Sequence, residues 1–225
     1  MTGGNRVGYN VKYFTMPDSM RKIAESTVRR LSLYLRFLEE FEAEGVETVS
    51  SEALAHRGGT TAAQVRKDLS FFGSFGKRGL GYSVPELTHA LRDILGLGRR
   101  YEIVVVGAGK IGSALAQFRG FAERGFHVEW VYDSDPAKIG ADWNGMTVRD
   151  VRELDADLAS APADIAILVT PADVAQPIAD RLVRAGIKAI LNFAPVQLVV
   201  PEDVAVKNVS MALELETLSY ALRNR

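Results

Sequence analysis

Three closely spaced glycines near the middle of the chain are suited to binding a phosphate group. The segment 104–112 predicts a buried strand that runs into the pattern Gly-x-Gly-x-x-Gly at the start of a helix. In this pattern Gly107 permits a tight turn, Gly109 lets the backbone approach a pyrophosphate, and Gly112 lets the helix pack on the strand. The free N–H groups and the dipole at the helix N-terminus favour an anion. These residues therefore predict a dinucleotide site.

A carboxylate with the spacing needed to bind a ribose follows on the next strand. Asp133 ends this strand, 21 residues after Gly112. A carboxylate at this position accepts hydrogen bonds from the ribose hydroxyls and repels a 2′-phosphate. The sequence therefore predicts NAD(H) in preference to NADP(H), and the alternative is a glycine-rich turn that holds no ligand.

Further cofactor contacts are predicted beside the glycines and after the later strands. Lys110 can add a positive charge near the phosphates. Because ligands bind at the carboxyl ends of parallel strands, the loops after later strands should line the nicotinamide end. Besides the three glycines and Asp133, the predicted cofactor-binding residues are Ala108, Lys110, Ile111, Thr170, Pro171, Asn192 and Phe193.

The sequence does not provide the groups that an oxidoreductase needs. A dehydrogenase requires an acid–base group near the hydride acceptor and a region that binds substrate. His56 and His89 precede the nucleotide-binding half, and His127 starts a strand at the end opposite to the cofactor. The chain has no cysteine, so we expect no disulfide framework and no thiolate metal site. We expect the protein to bind its cofactor without acting as an enzyme.

The elements that must position this site alternate between strands and helices. The alternation begins after Gly98 and predicts an α/β Rossmann domain, a parallel sheet with helices on both faces. The predicted strands are 101–106, 127–133, 165–170 and 187–193, with a short strand near 146–148, and the predicted helices are 111–120, 171–185 and an amphipathic 211–224.

The N-terminal half has a different pattern. Apolar residues at helical spacing predict helices over 26–44, 52–56 and 62–71, followed by a glycine-rich basic segment, 73–82, and a capped helix over 84–95. Three helices followed by a basic hairpin predict a winged helix-turn-helix. The third helix of such a domain enters the major groove of DNA.

The charge distribution is consistent with a DNA-binding half. The net charge of the chain is −1, but residues 1–100 carry 15 Lys and Arg against 11 Asp and Glu. A local basic patch on a near-neutral chain can bind the phosphate backbone. The alternative is a protein-interaction module with a solvated helix face. The predicted DNA-binding residues are Gln64, Arg66, Lys67 and Ser70 on the third helix, and Lys77 and Arg78 on the wing.

Targeting signals are not evident in the sequence. No apolar run approaches the ~20 residues of a membrane span, and the first 20 residues lack the apolar segment of a signal peptide. We expect a cytoplasmic protein with no membrane partner, and we expect residues 1–20 to form a flexible tail.

Four segments together resemble the Rex family of redox-sensing repressors. They are 27–34, 65–82, 106–115 and 190–195, and the second, Val-Arg-Lys-Asp-Leu-Ser-Phe-Phe-Gly-Ser-Phe-Gly-Lys-Arg-Gly-Leu-Gly-Tyr, is long and specific. The resemblance implies a homodimer with domain-swapped C-terminal helices that binds an inverted-repeat operator. It also implies that NADH drives the dimer off the DNA, whereas NAD⁺ permits binding.

Combined with the resemblance, the patterns divide the chain into four parts. The predicted parts are the tail 1–20, the winged helix-turn-helix domain 21–97, the Rossmann NAD(H)-binding domain 98–208 and the swapped C-terminal helix 209–225.

The chain departs from the family pattern at two positions. Phe118 stands where the family usually has a tyrosine, and Ser210 stands where it usually has an aspartate. The resemblance implies that this tyrosine lies at the cofactor and that it forms, with the aspartate and an arginine matching Arg36, a network that couples nicotinamide binding to domain movement. One hydrogen bond to a charged group contributes about 1.5–3 kcal/mol, comparable to an allosteric coupling energy of about 1–3 kcal/mol. Our hypothesis is a divergent Rex paralogue with a weakened or altered nucleotide response.

A second resemblance leaves another nucleotide open. The Rossmann half also resembles the CoA-binding domain of acyl-CoA synthetases, so a CoA- or NAD-binding enzyme module is the alternative function. Asp133 favours NAD(H), because its carboxylate suits the free hydroxyls of an NAD ribose. The predicted winged helix counts against a pure enzyme.

Overall fold

The computed structural model describes residues 23–77, 79–143 and 145–224. The chain divides into two compact units, Met1–Gly98 and Arg99–Arg225. The predicted tail, 1–20, and the predicted wing residue Arg78 lie outside the described residues. Across the described ranges, no helix is both long enough and apolar enough to cross a membrane.

The first unit consists of helices and one short antiparallel strand pair. Each of the last three helices of this unit begins after a capping residue whose side chain accepts a hydrogen bond from the backbone N–H three residues ahead. The capping residues are Ser50, Thr61 and Ser83. The described helices are α1 (Glu25–Ala43), α2 (Ser51–Gly58), α3 (Ala62–Ser70) and α4 (Val84–Ile94), and the strands are β1 (Thr48–Val49) and β2 (Tyr82–Ser83).

The core of this unit forms along one stripe of α1. Leu31, Leu35 and Leu38 are fully buried there, as the helical spacing predicts. Val28, which the same spacing places on the buried face, is 41% exposed. Thr27 is buried instead, and its hydroxyl accepts a hydrogen bond from Arg30 at 3.1 Å. The buried stripe is therefore rotated slightly from the predicted one at the start of α1.

A buried ion pair joins α3 to α1. The Asp68 side chain is fully buried and accepts hydrogen bonds from Nε and Nη2 of Arg30, at 2.6 and 2.7 Å. Tyr34 donates to the same carboxylate at 3.0 Å, and Gln64 donates at 2.8 Å. Burial alone would raise the pKa of Asp68, but these hydrogen bonds outweigh burial and hold its pKa below the usual value.

The second unit contains one seven-stranded sheet. In sheet order the strands run β5-β6-β4-β3-β7-β8-β9, and only β5 is antiparallel to its neighbour. The strands are β3 (Tyr101–Val106), β4 (Phe126–Asp133), β5 (Asp142–Trp143), β6 (Met146–Asp150), β7 (Ile165–Leu168), β8 (Ala189–Asn192) and β9 (Ala205–Asn208). The helices are α5 (Lys110–Ala116), α6 (Arg119–Glu123), α7 (Leu154–Ser160), α8 (Ala172–Arg184) and α9 (Met211–Arg223).

The order of the six parallel strands is that of the Rossmann fold. The first, β3, pairs with β4 on one side and with β7 on the other, so the chain reverses direction across the sheet between β3 and β7. The strands of the sheet core are apolar on both faces: α7 and α8 cover one face, and α5 and α6 pack on the other. Ligands of such sheets bind at the carboxyl ends of the strands beside this reversal.

The predicted helix 111–120 is wrong as a single element. The structure ends α5 at Ala116 and begins α6 at Arg119, with Phe118 in an extended conformation at φ −75° and ψ 104°. The Phe118 ring lies over Gly120, where a Cβ atom would come within 2.6 Å of a ring carbon. The chain turns at this point, so two short helices, rather than one long helix, pack on this face of the sheet.

Replacing Asp68 by Asn should strongly destabilise the first unit. The partly exposed Arg30 guanidinium would lose its charged partner, and the Asn amide would place an N–H group against the donors that surround this buried position, which costs about 1–3 kcal/mol of unfolding free energy. The control is Asp93→Asn, which removes an exposed carboxylate 3.5 Å from His89 and should cost less than about 1 kcal/mol. Urea unfolding of the two variants gives the comparison, and equal losses would contradict a structural role for Asp68.

Candidate functional site

The glycine loop between β3 and α5 is shaped by close backbone contacts. Gly107 has a φ of +114°, and a Cβ atom there would lie 2.4 Å from the carbonyl oxygen of Val169. A Cβ atom at Gly112 would lie 1.9 Å from the carbonyl oxygen of Gly107. These two glycines are therefore required by the packing of the strand and helix. Apart from its chain neighbours, none of the described residues comes within 4 Å of a Cβ atom built on Gly109, so the space over this residue is open, as a bound pyrophosphate requires.

Asp133 lies at the carboxyl end of β4 and is bonded to the glycine loop. Its Oδ2 accepts the backbone N–H of Ala108 at 2.7 Å, and its Oδ1 accepts that of Asp135 at 2.8 Å. Lys138 donates to Oδ2 at 3.1 Å. Burial would raise the pKa of Asp133, but the bonds from Asp135, Lys138 and Ala108 outweigh burial and hold its pKa below the usual value. The site therefore presents an ionised carboxylate at neutral pH.

A cavity of about 600 Å³ joins the glycine loop to Asp133. Thr170 and Pro171, both predicted from the sequence, line it beside Gly107 and Gly109. The opposite wall is apolar and was not predicted from the sequence. It is formed by Val151, Val174, Pro177 and Ile178. A slot with apolar walls beside an ionised carboxylate has the chemistry to hold a purine base and its ribose. Val174, Pro177 and Ile178 recur at helical spacing on α8, but this pattern alone does not show that they border a cavity.

The hydroxyl of Thr170 also indicates a ligand. Its Oγ1 is buried and has no hydrogen-bond partner among the described residues. Buried polar atoms in folded proteins nearly always have a partner, so such an atom at a cavity wall is explained by a bound polar group. Lys110 and Ile111 begin α5 and are exposed on the loop side. Lys110 and Ile111 do not line the cavity, but they directly follow Gly109, which does.

Three of the predicted cofactor residues have other surroundings. Asn192 is fully buried, and its amide donates to the Val196 carbonyl and to Asn208 at 2.8 Å each, so it holds the loop after β8 in place. Phe193 is partly buried against the apolar core of the sheet. Phe118 is 59% exposed and lines a second cavity of about 570 Å³, away from the glycine loop.

The two predicted coupling residues each have a local partner. Arg36 is 61% exposed in its side chain and forms an ion pair with Glu40, one turn ahead on α1, at 3.4 Å. Ser210 caps α9, where its hydroxyl accepts the backbone N–H of Leu213 at 3.4 Å. The structure therefore assigns local roles to both side chains.

The predicted DNA-binding residues lie on or near the exposed face of α3. Lys67 and Ser70 are exposed, and the Ser70 hydroxyl donates to the Lys67 carbonyl. Arg66 is half-exposed and donates to Ser51 at 2.7 Å. Gln64 is bonded to Asp68 and so supports α3 from within. Because Asp68 is buried and paired with Arg30, the acidic residue in this basic stretch adds no exposed negative charge to α3.

Backbone hydrogen bonds join the described ends of the predicted wing. The backbone N–H of Lys77 donates to Gly81 at 3.0 Å, and the N–H groups of Leu80 and Gly81 donate back to the Lys77 carbonyl. A Cβ atom on Gly76 would lie 2.5 Å from the Gly81 carbonyl oxygen, and one on Gly81 would lie 2.5 Å from that of Val49. This turn fixes Lys77 at an exposed position beside α3.

The described part of the chain contains no candidate metal site. Within residues 23–77, 79–143 and 145–224, no group of three or more His, Cys, Asp or Glu side chains is placed to hold a metal ion.

Two family models match the two units separately. The model described as "CoA binding domain" matches residues 99–196, and the model described as "Putative DNA-binding protein N-terminus" matches residues 22–70. These matches fall on the unit that contains the cofactor cavity and on the unit that contains α3.

Solved structures with the same fold cover nearly the whole chain. The structure of RSP in complex with β-NAD⁺ and operator DNA is 42% identical, covers 90% of this chain and 94% of its own, and superposes with a TM-score of 0.86. RSP in complex with β-NADH is 41% identical, with 90% and 95% coverage and a TM-score of 0.82. RSP is described as a Rex-family repressor.

Curated relatives are similar over the same extent. The redox-sensing transcriptional repressor Rex of Carboxydothermus hydrogenoformans is 48% identical over 202 residues, 90% of this chain and 97% of that protein. The Rex repressor of Thermus thermophilus is 49% identical over 203 residues, 90% of this chain and 95% of its own. This chain belongs to the Rex family of redox-sensing transcriptional repressors.

Proposed function

We propose that this chain represses transcription as a homodimer on an inverted-repeat operator and that it senses the ratio of NADH to NAD⁺, with NADH releasing the DNA. The observation that supports this most directly is the presence, in one chain, of a basic α3 and a cavity with the donors and acceptors of an NAD(H) site. RSP, which has the same fold, has been solved with NAD⁺ and operator DNA and with NADH.

The residues of the cavity fit NAD(H). Asp133 would hold the adenosine ribose. The open backbone at Gly109 and the N–H groups that begin α5 would hold the pyrophosphate. The Thr170 hydroxyl would form a hydrogen bond with the dinucleotide. Bound NAD(H) supplies the redox signal through the oxidation state of its nicotinamide ring. CoA fits less well, because its ribose carries a phosphate in place of a hydroxyl and Asp133 would repel it.

DNA binding is assigned to α3 and the wing. Arg66, Lys67 and Ser70 would contact base edges and phosphates in the major groove, and Lys77 and Arg78 would reach the phosphates beside it. Gln64 would act less directly, because its amide is bonded to Asp68.

The homodimer is supported by the last helix. Met211, Leu215, Leu218 and Leu222 of α9 are each at least 60% exposed, so their apolar stripe is uncovered within one chain. Burying this stripe against a second copy would remove it from water, as a swapped C-terminal helix does. A two-fold dimer matches an inverted-repeat operator.

The NADH response of this chain is proposed to be altered. Phe118 has no hydroxyl and faces a cavity bordered by Phe121, Phe126 and Trp143. The hydroxyl of Ser210 is used as the cap of α9, and Arg36 is paired with Glu40. These side chains cannot form the tyrosine–aspartate–arginine network that the family pattern implies, so the energetic link between nicotinamide and DNA would be weaker.

The remaining assignments follow from the family. Its members are transcriptional repressors, and this chain is not an enzyme. We propose that it acts in the cytoplasm, where its operator DNA and the NAD(H) pool are both present.

NADH should release operator DNA from this protein, and NAD⁺ should not. A labelled inverted-repeat operator bound by the full chain is titrated with each cofactor, and fluorescence anisotropy reports release. The double variant Phe118→Tyr/Ser210→Asp restores both family residues, and it should release DNA at a lower NADH concentration because the missing network weakens the response. DNA binding that ignores both cofactors would contradict redox sensing, and release by wild type at the same NADH concentration as the double variant would contradict the altered response.

Replacing Lys67 by Ala should weaken operator binding and reduce its dependence on salt. Each lost phosphate contact lowers the slope of log affinity against log salt by about one. Lys188→Ala is the control, because Lys188 is an exposed lysine of the second unit paired with Asp203 and should leave the slope unchanged. If the Lys67 variant kept the wild-type affinity and the wild-type salt slope, the result would contradict the assignment of α3 to the DNA interface.

A further inference from the structure

The hydrogen-bond capacity of Asp133 is nearly filled before any cofactor binds. A carboxylate offers about four acceptor positions, two on each oxygen. On Oδ2, one position accepts the Ala108 N–H at 2.7 Å and the other accepts Lys138 at 3.1 Å. On Oδ1, one position accepts the Asp135 N–H at 2.8 Å. One acceptor position, on Oδ1, is left for a ligand.

A ribose brings two neighbouring hydroxyls to this carboxylate. An unoccupied carboxylate can accept both, one on each oxygen. Here the second hydroxyl would have to displace a backbone N–H or the ammonium group of Lys138. Displacing the Ala108 N–H would leave a buried donor without a partner, which is costly. The second hydroxyl therefore needs a donor beside Asp133 rather than a place on it.

Lys138 is positioned to be that donor. Its ammonium group has three N–H bonds, of which one is directed to Asp133 and another lies near the Asp135 carboxylate, 3.8 Å away. Its side chain is 40% exposed, against 10% for Asp133, and it lines the same cavity. At least one N–H is therefore free to meet an oxygen that enters beside Asp133.

We propose that Lys138 is a second ribose ligand, which donates to one hydroxyl oxygen of the adenosine ribose while Asp133 accepts the other hydroxyl. This inference rests on the proposed NAD(H) site and extends it, because it makes recognition of the ribose depend on a lysine–aspartate pair. The two hydroxyls then play different parts: one is a donor to Oδ1, and the other is an acceptor from Lys138.

The test compares nucleotides that lack one hydroxyl. ADP, 2′-deoxy-ADP and 3′-deoxy-ADP compete with NADH for the full chain, and NADH fluorescence gives each affinity. The substitution Lys138→Met should weaken ADP binding about tenfold more than it weakens the binding of one of the two deoxy nucleotides, since one hydrogen bond to a charged group is lost only with ADP. The deoxy nucleotide that is less affected is the one that lacks the hydroxyl bound by Lys138.

Two lysine variants separate this effect from general charge. Lys110→Met removes a positive charge near the phosphates and should weaken all three nucleotides by the same factor. Lys188→Met, outside the cavity, should weaken none of them.

Three results would overturn the inference. Equal losses for all three nucleotides in Lys138→Met would show that the lysine acts only through its charge. Unchanged ADP affinity in Lys138→Met would show that the lysine contributes nothing to ribose binding. A wild-type chain that binds neither NADH nor ADP would overturn the cofactor site as well, whereas normal NADH binding with either of the first two results would overturn only the role of Lys138.

Discussion

The cofactor site depends on the hydrogen bond between the Asp133 carboxylate and the backbone N–H of Ala108. This bond, at 2.7 Å, ties the end of β4 to the loop that follows β3. The loop can take this position only because Gly107 and Gly112 have no Cβ atom where the backbone of Val169 and Gly107 approaches. The adenosine and pyrophosphate positions are therefore set before a ligand arrives, and less binding energy is lost in ordering the site.

The first unit uses the same principle for a different purpose. Asp68 is buried and ionised, and its three hydrogen bonds from Arg30 and Tyr34 hold α3 against α1. The negative charge of Asp68 is neutralised inside the domain, so it does not offset the exposed positive charge of Lys67, whereas Arg66 pairs with Glu52 at 3.4 Å. In each unit, one buried carboxylate positions the backbone of a surface that we propose to be a recognition surface, for the cofactor in the second unit and for the operator in the first.

Much of this organisation could be predicted from the sequence, because the glycine spacing and Asp133 belong to a motif whose backbone geometry dictates the residue types. The strands Tyr101–Val106 and Phe126–Asp133 were predicted within one residue for the same reason. The apolar wall at Val151, Val174 and Ile178 was not predicted, because helical periodicity identifies the side of α8 that packs on the sheet but not a side that borders a cavity. The break at Phe118 and the pairing of Asp68 also depend on contacts distant in sequence, which local patterns do not contain.

The central claim is that cofactor and operator binding are energetically coupled, and coupling between two binding equilibria must be reciprocal. The most direct test is the dissociation constant of NADH measured by calorimetry on the free protein and on the protein saturated with operator DNA. The account predicts that operator DNA weakens NADH binding by the same factor by which NADH weakens operator binding, and that operator DNA does not weaken NAD⁺ binding. Identical NADH dissociation constants with and without operator would contradict it, because the two surfaces would then act independently.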